Sequence, residues 1–89
     1  MGRPTEDELK VALSEAGRMR EHGNDPKYIA KSLLNLNYRL HYLEDIVRAA
    51  EIYLRSGQGS REHSNLVRAI ELSKKAEIRS SGEDEPGFE

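Results

Sequence analysis

Across residues 26–56 apolar side chains recur at Ile29, Leu33, Leu36, Leu40, Leu43, Val47, Ala50 and Leu54, at spacings of 4, 3, 4, 3, 4, 3 and 4. A helix returns a side chain to the same face every third or fourth position, so this is a helical seam. The stretch LNLNYRLHY inside it reads differently at first. Leu34, Leu36, Tyr38, Leu40 and Tyr42 alternate with Asn35, Asn37, Arg39 and His41, as the two faces of a half-buried strand do. The alternation ends at Leu43, Glu44 and Asp45, and no Gly or Pro lies between Pro26 and Gly57 to turn a hairpin. One helix of about 30 residues, on the order of 45 Å long, accounts for the whole window. Asn35 and Asn37 are weak helix formers and mark where it would bend.

A second apolar set, Tyr28, Tyr42, Ile46, Ala49 and Tyr53, projects about 100° or more around from the seam, with Tyr38 and Ile52 beyond it. A helix with two apolar faces has neighbours on two sides. The polar remainder carries Asn37, His41, Glu44, Arg48, Glu51 and Arg55.

Two shorter helices flank it. Thr5, Glu6, Asp7 and Glu8 form a capping-box sequence, after which Leu9, Ala12, Leu13, Ala16 and Met19 follow one stripe and Gly23 supplies a left-handed stop. Asp25-Pro26 reads as N-cap and first helical position of the long helix. Gly57-Gln58-Gly59 breaks the chain, and Ser60 caps a third helix whose apolar face is His63, Leu66, Val67, Ala69, Ile70 and Ser73. The expected fold is all-α: helices at about 5–22, 26–56 and 60–79, the long one central, the short ones folded back on it through short turns in an antiparallel arrangement. Residues 1–79 form a single domain and residues 80–89, Ser-Ser-Gly-Glu-Asp-Glu-Pro-Gly-Phe-Glu, an acidic disordered tail in which Phe88 could serve as a docking residue.

Length changes the picture next. A chain of 89 residues buries only about 60–65% of the surface it exposes when unfolded, so a lone copy gains from association. Each short helix, at about 27 Å, covers only half of the central one, which leaves part of its apolar surface for a partner. A homodimer, possibly a dimeric helical bundle, joined through Leu33, Leu36, Leu40, Leu43 and Val47, with Tyr38 and Tyr42 nearby, is the expected assembly.

Charge narrows the partners. The chain has formal charge −2, and residues 1–79, with 14 bases and 12 acids, carry +2. Neither value gives the basic field on which nucleic-acid binding rests. Lys27, Lys31 and Arg39 beside the tyrosines nevertheless resemble a phosphate-and-stacking surface, which makes a nucleic-acid accessory protein the second reading. His41 and Asp45, four apart with Glu44 adjacent, are the only metal-like spacing, and a third reading places a metal-dependent enzyme there. His22 and His63 add no ligand at matching spacing, so no metal or other cofactor is expected.

The chain has no cysteine, which removes thiolate chemistry and cysteine-ligated metals. No serine sits in a nucleophile elbow, no phosphate-cradling loop is present, and no small-molecule substrate is evident. No membrane span and no signal-peptide core are found, so the expected compartment is the cytoplasm. The reading that results is a small, non-enzymatic helical interaction module, self-associating through its central helix and presenting a surface to another protein.

Overall fold

The computed structural model describes residues 2–83. These form three α-helices, α1 Glu6–Glu21, α2 Ile29–Arg55 and α3 Ser60–Glu83, with a single 3-10 turn, Pro26–Tyr28, leading into α2. No strand occurs among the described residues. The alternation at 34–42 therefore lies inside a helix, and α2 runs without interruption through Asn35 and Asn37.

Thr5 caps α1 as its sequence requires: its hydroxyl accepts from the Glu8 backbone at 3.1 Å, and the Glu8 carboxylate accepts from the Thr5 backbone at 2.8 Å. At the other end Gly23, with φ 68°, lets the Asn24 and Gly23 N–H groups reach back to the carbonyls of Met19 and Arg20. This satisfies acceptors the helix would otherwise leave bare. Gly57, φ 81°, closes α2 in the same way, with the Gln58 N–H donating to the Tyr53 carbonyl at 3.0 Å.

The start of α2 differs from the sequence expectation. Asp25 does not cap a helix beginning at Pro26; the α-helix begins at Ile29, after Lys27 and Tyr28 have taken φ of 55° and 61°. Backbone in that left-handed region costs an L-residue roughly 1–2 kcal/mol. The Asp25 carboxylate offsets it by reaching past the turn, accepting from the backbone of Ala30 at 2.6 Å and of Lys31 at 3.0 Å while pairing with Arg20 at 3.0 Å. Tyr28, expected on the second apolar face, is thereby left exposed.

Packing divides α2 between two units, one extending through Asn37 and the other starting at Tyr38. In the first, Ala16 of α1 and Ala30 of α2 are buried, and Leu9, Ala12, Leu13 and Met19, the expected stripe of α1, are half-buried. In the second, Tyr53 of α2 meets His63 of α3, Arg39 meets Glu77, and Tyr38 meets Arg79. Partner numbers fall along α3 as they rise along α2.

The packed face of α3 is also a correction. His63 and Val67 are exposed, and the line turned inward is Leu66, Ala69, Ser73, Ala76 and Ser80. Its small residues carry little hydropathic signal. Helix α3 also runs to Glu83, beyond the expected end at 79, and Ser80 is buried. The rest of the expected tail, with Phe88, lies outside the described residues.

Candidate functional site

Among the described residues the only buried apolar ones are Ala16, Ala30 and Ala76. The large apolar side chains are in view of solvent to a degree that soluble helices normally avoid. On the part of α2 from Tyr38 onward the seam itself is what stands open: Leu40 is 46% exposed, Leu43 47%, Val47 57% and Leu54 67%. Ala50, which completes the 3–4 spacing, is half-buried. In the other unit Leu36 and Ile29, which continue the same spacing toward the N-terminus, are exposed and Leu33 is half-buried.

The stripe stays open because α3 occupies a different side. Tyr42, Ile46, Ala49 and Tyr53, about 100° or more from the stripe, are the half-buried residues of this unit. Tyr38 and Tyr42, sequence candidates for the interface, belong with them. Their rings meet edge to face with centroids 5.3 Å apart, and the Tyr38 hydroxyl accepts from the Arg79 guanidinium at 2.8 Å. Contact with Tyr38, by hydrogen bond and by charge, holds the Tyr42 phenol above its ordinary pKa, with burial adding to the effect. The two tyrosines pin α3 to α2 and stand off the seam.

Three observations orient the surroundings of the stripe. A cleft of about 180 Å³ between α2 and α3 is lined by Asp45, Arg48, Ala49, Ile52, Glu62 and Asn65. It lies on the side of α2 away from the seam, so the opposite edge of α3 flanks the seam. That edge carries His63, Val67, Ile70 and Lys74 at helical spacing. His63 confirms the adjacency, its ring lying 6.0 Å from that of Tyr53. Val67, also exposed, thus adds to the apolar surface, a contribution hidden in the sequence because Val67 reads equally well as a packing residue.

The other chemistry proposed from the sequence is dispersed. Arg39 is engaged by Glu77 at 2.8 Å. Lys27 and Lys31 belong to the first unit, Lys27 in the strained turn and Lys31 with its ammonium 5.9 Å from the Tyr28 ring centroid. His41 Nδ1 is 3.8 Å from the Glu44 carboxylate, while the Asp45 carboxylate accepts from Arg48 at 2.8 Å. Among the described residues no three His, Asp or Glu side chains converge as metal ligands. No described helix is long and apolar enough to cross a membrane.

Comparison with family models, with curated proteins and with solved structures finds no match to this chain.

Proposed function

We propose that the chain is a small cytoplasmic, non-enzymatic interaction module that forms a homodimer through the exposed seam of α2, as an antiparallel helical hairpin unit pairing with a second copy. The observation that carries this reading is the openness of Leu40, Leu43, Val47 and Leu54 beside a packed interior made of alanine and serine. A seam with coiled-coil spacing is the surface another helix fits by knobs-into-holes packing, and an identical copy supplies the identical seam. Covering each of these half-exposed side chains contributes on the order of 1 kcal/mol, and a pair of copies covers both sets at once.

Sedimentation equilibrium from low to high micromolar concentration tests the proposal. A species that moves from 10.1 kDa toward twice that mass supports it, and a 10.1 kDa species throughout overturns it. Nucleic-acid binding is the less favoured reading, because Arg39 is answered by Glu77 and the tyrosines of this unit are turned toward α3.

A further inference from the structure

Resting on that reading of the α2 seam, we infer that the two copies pair in the same direction, each laying its Glu44 and Glu51 edge along the partner's Arg39 and Lys74 edge. The seam has two unlike borders. On one side stand Glu44 and Glu51, both exposed and a heptad apart. On the other stand Arg39, half-buried, and the near edge of α3 with His63, Val67 and Lys74. Neither glutamate is neutralised by the strongest nearby cation, because Arg48 is held by Asp45 at 2.8 Å.

Direction then follows from which borders meet. When two helices pair in the same direction, the border on one side of a seam faces the opposite border of the other copy; in opposite directions each border faces its own kind. Opposed copies would line four carboxylates, two Glu44 and two Glu51, along one edge of the interface. Same-direction copies place Glu44 next to the partner's Arg39, at the spacing that links borders in parallel coiled coils, with the partner's Lys74 on the adjoining edge. Like charges set against each other are the usual means by which helix pairs reject a wrong orientation.

The absence of native cysteine makes the test direct. Single variants Leu40→Cys and Leu54→Cys, both at exposed positions, are oxidised as the full chain at a concentration where sedimentation shows dimer. In a same-direction pair every seam residue faces its own copy, so both variants form disulfide-linked dimers. In an opposed pair the two copies of a residue separate by about 3 Å for every position from the two-fold axis. Positions 40 and 54 cannot then both come within the roughly 7 Å Cα separation a disulfide allows. In parallel, the double variant Glu44→Lys/Glu51→Lys is expected to weaken the homodimer about tenfold, from four lost charge pairs. A dimer in which only one cysteine position links, or neither, with the charge reversal leaving its Kd unchanged, overturns the orientation and leaves self-association standing. A chain that stays monomeric overturns the underlying reading and this inference with it.

Discussion

Arg39 on α2 donates through Nε to the Glu77 carboxylate on α3 at 2.8 Å, across 38 positions of sequence. Both side chains are more than a third exposed, so solvent screens the pair and its contribution is modest. A double-mutant cycle with Arg39→Ala and Glu77→Ala, read by chemical denaturation, is expected to give a coupling of about 0.2–1 kcal/mol that declines as salt rises. A coupling well above that range would mean the pair sits in a drier setting than its exposure indicates.

The seam gives the sharpest expectation. Leu40→Asp places a carboxylate at the centre of the stripe, and because Leu40 is open in the single chain the substitution leaves helical content intact. In a dimer it inserts two unpaired carboxylates into an apolar contact, weakening association by at least about 100-fold. Far-UV circular dichroism and sedimentation together check this: lost helix with lost dimer would point to unfolding, and an unchanged Kd would place the contact elsewhere.

Small residues at the α3 packing line allow no growth. Ala76 is 2% exposed, and Ala76→Leu is expected to destabilise the chain by about 1–3 kcal/mol through overpacking. Val11→Ala, on an open part of α1, should stay within about 0.5 kcal/mol of the parent. Denaturant titrations of the two variants side by side make the comparison.

Asp25 supplies a pH dependence. Burial pushes its carboxyl up, but the Ala30 and Lys31 backbone hydrogen bonds and the Arg20 guanidinium outweigh that and hold it below the ordinary carboxylate value. A carboxyl lowered in the folded state adds stability that is fully present above its unfolded pKa of about 4 and is lost as pH falls through the folded value. Asp25→Asn is therefore expected to melt several degrees lower than the parent at neutral pH, with the gap closing below about pH 4. Thermal melts at pH 7 and pH 3 check the sign; a gap that widens in acid would refute the assignment.

The turn before α2 can be improved. Lys27 holds φ 55°, where glycine is at ease and an L-residue is strained. Lys27→Gly should raise stability by up to about 1 kcal/mol, whereas Lys27→Val, branched at Cβ, should lower it. A loss of stability on glycine substitution would show that the Lys27 side chain matters more than its backbone.

The helical architecture was legible in the sequence because its signals are local and repeated. The Thr5 capping box, the Gly23 and Gly57 stops and the 3–4 spacing from Ile29 to Leu54 each name a feature that the backbone adopts. Asp25 was misread because a capping carboxylate can act across an intervening 3-10 turn, which composition does not announce. The inner face of α3 escaped for a different reason: Ser73, Ala76 and Ser80 pack by being small, and hydropathy does not register size. Tyr38 and Tyr42 lie near the seam in number but around the helix from it, held there by Arg79, a residue 41 positions from Tyr38 that no local pattern connects to them.

An interior of alanine and serine has a calorimetric signature. Melting a single chain uncovers little fresh hydrocarbon, so its heat-capacity increment falls below the roughly 12–15 cal/mol/K per residue of ordinary globular chains, and its denaturant slope is shallow. Most of both quantities resides in the joined seams, which ties the steepness of the transition, as well as its midpoint, to protein concentration.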